Sequence, residues 1–368
     1  MSKKKLFWGI SPSLIVCMLL VQSGCKPDDD DENEPVLTTN VYAVGNCENS
    51  AKVYVPCFWQ NGTRTDLAVI DASKNAFANS VFVYNSDVYV AGDSFNSANV
   101  LVPCYWKNNT RTDLAVIDVS KSAKTNSIYI SAGDVYVAGY CNNISANISV
   151  PCYWKNGVRT DLAVIDASKH AFTSSIFVSA SDVYVAGYCR NSALIYVPCY
   201  WKNGTRTDLS TINAANRGAA YSLFVSGSDI YVAGYCEYSP DFSFPCYWKN
   251  GTRTDLAVID ASKNAFANSI YISNSDVYVA GSSYNSVDIY VPCYWKNGAR
   301  TELAVIDASK HGHATSIYVS GSDVYVGGSS GRADIYVPCI WKNGTRTDLS
   351  VPDATKNGYI NSIFISKN

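Results

Sequence analysis

One phrase is written seven times along this chain. It reads P-C-Y-W-K-N-G-T-R-T-D-L-A-V-I-D-A-S-K from Pro245 to Lys263, and its tryptophan recurs as Trp59, Trp106, Trp154, Trp201, Trp248, Trp295 and Trp341. The gaps between them are 47, 48, 47, 47, 47 and 46 residues. So constant a period means a repeat architecture, in which each unit buries its apolar face only against its neighbours. The repeat overrides the two-domain reading that 368 residues would otherwise invite.

Each unit reads as four short strands joined by turns. In the sixth unit, strand a is expected at Ser269–Ser273 and strand b at Val277–Gly281, with a variable loop after it. Strand c is expected from about Tyr290 to Trp295, and strand d from Arg300 to about Ile306. Asn297-Gly298 supplies the positive φ that a hairpin turn between c and d needs. Period-2 alternation of β-branched and aromatic residues supports strands throughout and leaves no place for helices. Four strands per unit, radially repeated, predict an all-β fold: one seven-bladed β-propeller over residues 40–368. The chain enters at a strand b, Val41–Gly45, and ends on a strand a, Ser362–Ser366. The C-terminal strand is therefore expected to complete the N-terminal blade, which would leave no open sheet edge. The S-I-x-[VI]-S-x-x-D-V-Y-V-A-G phrase with its Y-W-K-N-G hairpin resembles bacterial seven-bladed propellers of simple four-stranded repeats, the NHL-like group among them. That resemblance implies a fold and leaves the activity open.

Ahead of the repeats, Lys3–Lys5, an apolar run from Leu6 to Val21 and Ser23-Gly24-Cys25 make a secretory signal over residues 1–24. The stretch resembles a bacterial lipoprotein signal, which implies that Cys25 becomes the lipidated first residue. Residues 25–39 open with Lys26 and the acidic run Asp28–Glu32, expected to be a solvated tether. A lipidated Cys followed by Lys and acids resembles the export signal of Bacteroidota surface lipoproteins. That implies an outer-membrane anchor in lipid with cell-surface display, a periplasm-facing anchor being the alternative.

The units differ from one another at one end only. The b–c loops change in every unit, and the d–a connection changes at one position: Phe77, Lys124, Phe172, Ala219, Phe266, His313 and Tyr359. Both connections leave a blade on the same face, so Phe77, Lys124, Phe172, Phe266, His313 and Tyr359 mark a candidate ligand face. The expectation drawn from this is a non-enzymatic cell-surface scaffold that binds a glycan or a protein. Two alternatives stay open: a polysaccharide lyase or glycosidase at the channel mouth, and a structural subunit of an outer-membrane complex. With 29 basic and 31 acidic residues spread evenly over the units, nothing argues for a nucleic-acid partner.

Of 13 cysteines, one sits in every strand c, and four units add a second: Cys47, Cys141, Cys189 and Cys236. These four are expected to form disulfides with Cys57, Cys152, Cys199 and Cys246, as an exported protein permits. The other reading is that they are small buried hydrophobes, since Cys104, Cys293 and Cys339 face Ser94, Ser283 and Ser330 instead. No metal-ligand spacing occurs, no cofactor is implied, and no catalytic constellation stands out because nearly every acid has copies. His311 and His313 form the one asymmetric titratable pair and are expected to be loop residues.

Overall fold

The computed structural model describes residues 38–143, 148–239 and 242–367. These hold 28 strands in seven four-stranded antiparallel sheets, with no helix among the described residues. Blade I is assembled from both ends of the chain: strand a is Gly358–Lys367, b is Thr39–Glu48, c is Tyr54–Gln60 and d is Thr63–Asp66. Blades II to VII follow in order, with inner strands Ala76–Tyr84, Ala123–Ser131, Ala171–Ser179, Gly218–Ser226, Ala265–Ser273 and Gly312–Ser320. Closure is as expected, with Val41 opposite Ile365 and Cys47 opposite Gly358. Residues 1–37, which carry the signal, Cys17, Cys25 and most of the tether, lie outside the described residues, as do Pro240 and Asp241 between Cys236 and Cys246.

Two repeated side chains tie each blade to the next. Each of the seven repeat tryptophans is wholly buried and donates its indole N–H to a carbonyl of the preceding d–a connection, as Trp201 does to Ala163 at 2.6 Å. The same bond joins Trp59 to Ser350 across the chain ends at 2.8 Å. Nearer the axis, a serine of each strand a accepts the backbone N–H of the next blade's strand a. Ser80 takes Ile128, Ser222 takes Ile270, and Ser362 closes the circle by taking Val81 at 3.4 Å. Repetition thus satisfies seven buried needs with one residue type each.

Two strand boundaries of the sixth unit differ from expectation by four residues, and strand b runs on to Tyr284, three residues past its expected end. In the sixth unit strand a begins at Ala265, four residues early. A bulge explains it: pairing to strand b slips between Ala267 and Ser269, so Asn268 breaks the alternation on which the reading relied. The bulge presses strand a onto Gly281, where a Cβ would stand 2.0 Å from the Phe266 carbonyl oxygen. Strand d ends at Glu302, not near Ile306. Leu303 there turns under the blade, 4% exposed, and the following Ala304 offers its carbonyl to Trp341.

Candidate functional site

The a–b turn end of the central channel carries a collar absent from the sequence reading. Phe82, Tyr129, Phe177, Phe224, Tyr271, Tyr318 and Phe364 stand at one position of strand a, with neighbouring ring centroids 4.6 to 5.2 Å apart all the way round. Their tilted packing is the geometry aromatic quadrupoles favour. The signal was visible: every unit has Phe or Tyr after the Ser-Ile, Ser-Val or Ser-Leu of strand a.

The opposite end is the mouth. It lies roughly 15 Å away along strand a, at about 3.3 Å per residue. Phe77, Lys124, Phe172, Phe266, His313 and Tyr359 all stand here, as the second residue of strand a and not in a loop. The bulge pairs each with an equally variable residue of strand b. Phe77 faces Asp93, Lys124 faces Tyr140, Phe172 faces Tyr188 and Tyr359 faces Asn46. A run of rings follows from this. Tyr221, Tyr235, Phe266, Tyr290, His313, Tyr336, Tyr359, Tyr54 and Phe77 touch in succession across five blades, with centroids 5.1 to 6.3 Å apart. A second cluster, Tyr140, Phe172, Tyr188 and Tyr196, covers blades III and IV. Tyr54, Phe77, His313 and Tyr359 line a cavity of about 300 Å3. Burial and the nearby His311 push the His313 imidazole down to about 4, so this wall is uncharged at neutral pH.

Between the arc and the cluster the mouth turns polar. Asn79, Lys124, Asn126, Tyr140, Phe172, Ser174 and Tyr188 line a cavity of about 360 Å3. Beneath it lies Asp93, the one wholly buried charged residue among those described. Its carboxylate accepts from the Thr125 N–H at 2.7 Å, the Thr125 hydroxyl at 3.2 Å and the Asn79 amide at 2.8 Å. Burial outweighs these bonds and pushes the carboxyl up to about 7. The matching Asn46 accepts the Ala78 N–H at 2.8 Å without any charge. Asp93 therefore carries a charge that the backbone does not require.

Other expectations resolve into structure. His311 and His170 accept the N–H of Tyr290 and Ser149 through Nδ1, doing what Asn75, Asn264 and Asn357 do in other blades. His313 belongs to strand a. The eight paired cysteines are thiols with sulfurs 3.8 to 3.9 Å apart. Cys57 donates to Cys47, which draws the Cys47 thiol down, while burial pushes Cys57 up. Where a unit has serine at the first position, Ser94, Ser283 and Ser330 accept backbone N–H groups of Ile70, Ile259 and Ile306. Each Arg of T-R-T-D pairs with the Asp or Glu two residues on, as Arg253 does with Asp255 at 2.9 Å. Among the described residues no group of three His, Cys, Asp or Glu is placed to hold a metal.

No protein-family model matches the sequence, and no curated protein matches it as a relative. Solved structures share its fold. A puromycin-hydrolyzing peptidase of Mycobacterium tuberculosis superposes with a TM-score of 0.56 at 11% identity, over 87% of this chain and 53% of that one. A mutant puromycin hydrolase complexed with PGG gives 0.51 at 11%, covering 86% and 53%. An acylaminoacyl peptidase of Pyrococcus horikoshii gives 0.50 at 12%, covering 84% and 50%. The chain thus spans about half the length of these proteins. At such identities the likeness is one of fold, but it corrects the functional expectation. The three solved structures named here are peptidases, and the expectation of a non-enzymatic scaffold for glycans or proteins is withdrawn on that finding.

Proposed function

We propose that the ring is the substrate-handling part of a peptidase-related system. The mouth receives an extended peptide and holds its side chains against the aromatic arc, and the collar bars thicker, folded chain from the channel. The observation that carries this reading is the pairing of a long aromatic arc at the mouth with an unbroken ring of seven aromatics at the other end of the inner strands. The peptidase neighbours support it as a matter of fold, and the bond-breaking step is left to catalytic machinery acting with the ring. Aromatic faces take many side chains without needing matched hydrogen bonds, which suits a handler of varied peptides.

The test is titration of the full chain with fluorescent unstructured peptides, with folded proteins and neutral polysaccharides as competitors. Cleavage of the same peptides is followed by mass spectrometry. Saturable capture of flexible peptides, uncontested by polysaccharide, is expected. No capture and no cleavage would overturn the reading, as would displacement by polysaccharide alone.

We further infer an envelope address from residues 1–39: lipidation at Cys25, an outer-membrane anchor and surface display, with the periplasm-facing anchor as the alternative. Palmitate labelling that survives Cys25→Ala refutes the anchor. Protection from added protease in intact cells refutes surface display.

A further inference from the structure

The polar gap in the mouth has the chemistry of a receptor for one charged group. Six of the seven variable positions on strand a are aromatic, imidazole or alanine, and the seventh is Lys124. No carboxylate forms an ion pair with its ammonium among the described residues, and Asp93 acts on it only at a distance. Around the cavity, Asn126 gives one amide N–H to the Thr173 carbonyl at 2.6 Å, which leaves a second to donate. Ser174, Tyr140 and Tyr188 add hydroxyls, and Phe172 with the two tyrosine rings forms an apolar wall. Asn79 is already committed, with one bond to Asp93 and one to the Thr125 carbonyl at 2.7 Å.

One cation, several neutral donors and an apolar wall fit a single carboxylate with carbon attached. They do not fit a dianion such as phosphate, for which one lysine above a buried carboxylate leaves the charge unbalanced. We propose that this cavity between blades II, III and IV binds a peptide carboxylate, the C-terminal one or that of an acidic side chain, with Lys124 as its counter-ion. The site rests on the peptide-handling reading and adds to it an end or charge preference.

The buried acid below sets the sign of the pH response. The groups around Asp93 are Lys124, Tyr140, whose phenol is raised by burial and by that same carboxylate, and Cys104, whose thiol burial raises further. The phenol and the thiol, both raised, stay neutral between pH 6 and 8. A protonated Asp93 leaves Lys124 free to attract the ligand, and an ionised one cancels part of that attraction. Carboxylate binding should therefore weaken as pH rises through the Asp93 titration.

The experiment is anisotropy of the full chain with a labelled neutral pentapeptide bearing a free C-terminus, its amidated form, and an amidated form with one glutamate, at pH 6 and 8. Charged hydrogen bonds of this kind are worth roughly a tenfold or greater change in affinity. The free-acid peptide should bind about tenfold tighter than the neutral amide at pH 6. Lys124→Met should abolish that preference; its neighbours at this position are Phe77 and Phe172, so an apolar side chain is accepted by the fold. Asp93→Asn should keep the preference undiminished at pH 8. Tight binding of the glutamate peptide assigns the site to any carboxylate, and weak binding assigns it to the chain terminus. Equal binding of acid and amides, or a preference that survives Lys124→Met, overturns the site while leaving peptide handling intact. If no peptide binds at all, both fall.

Discussion

The two ends of the ring use the same strands under different constraints. At the turn end, one solution is copied. The Asp that opens strand b takes the amide of an Asn and the ammonium of a Lys from the c–d hairpin, as Asp276 does with Asn297 and Lys296. Asp87, Asp134, Asp182, Asp229 and Asp323 repeat it. At the mouth, residues at one position range from alanine to lysine to tyrosine. The difference follows from what each position faces. The turn-end side chains satisfy backbone groups of a tight hairpin, with Asn250 at φ 50 and Gly251 at φ 82, and every blade poses the same problem. Side chains at Phe77 and its equivalents face the space above the channel, where the fold asks for nothing in particular.

If that contrast is right, damage to copied positions should cost stability equally in any blade. Trp201→Ala and Trp295→Ala should each lose about 3–5 kcal/mol in denaturant unfolding, from a void and an orphaned carbonyl. Markedly unequal losses would show that the blades are not equivalent. Gly281→Ala should cost about 3 kcal/mol, since its Cβ would meet a backbone oxygen that cannot retreat. The four thiol pairs sharpen the comparison. If export oxidises them, non-reducing peptide mapping should find Cys47–Cys57, Cys141–Cys152, Cys189–Cys199 and Cys236–Cys246. Each should stabilise by about 2–3 kcal/mol through a short closed loop. The blades with Ser94, Ser283 and Ser330 are internal controls. Full alkylation of all eight in protein isolated without reductant from its native host would leave the small-hydrophobe reading standing.

Asp93 is where the copied backbone and the variable mouth meet. Its folded-state carboxyl titrates near 7, above its unfolded value, so the native state holds the proton more tightly. Stability from this group is then greatest at low pH and is lost as pH rises towards 7. Asp93→Asn removes the dependence. Its gain over the native chain should be absent near pH 4 and reach about 1 kcal/mol or more by pH 8. A gain that is the same at both ends of the range would mean that the carboxyl is not desolvated.

How much of this the sequence disclosed follows from periodicity. Seven tryptophans at one spacing fixed blade number, strand order and closure, because each copy had to repeat one packing problem. The bulge at Asn268 was hidden since it breaks the alternation that identifies a strand, and with it went the true place of Phe266 and His313 on strand a. The collar was missed for the opposite reason: Phe and Tyr at Phe82 and its copies alternate so regularly that they read as ordinary strand residues. Asp93 was unreadable, because its distinction is burial under Asn79 and Thr125, residues 14 behind and 32 ahead of it.

The mouth offers the smallest stability effect and the cleanest separation of the two ends. Phe266 touches Tyr235 at 5.3 Å and Tyr290 at 6.3 Å, with ring contacts of a kind worth about 1 kcal/mol or less at a half-buried site. Phe266→Ala should therefore unfold close to the native chain. It also interrupts the arc at the third of its nine rings, so a peptide lying along them loses a contact on both sides of the gap. Peptide capture should fall several-fold where unfolding barely changes, while Ser222→Ala, which removes one inter-blade bond worth about 1 kcal/mol, should do the reverse. Ser222 is the control because it lies on the same channel but inside the copied frame. If both variants weaken capture equally, the mouth is responding to the rigidity of the ring as a whole, and the division between a fixed frame and a free surface fails.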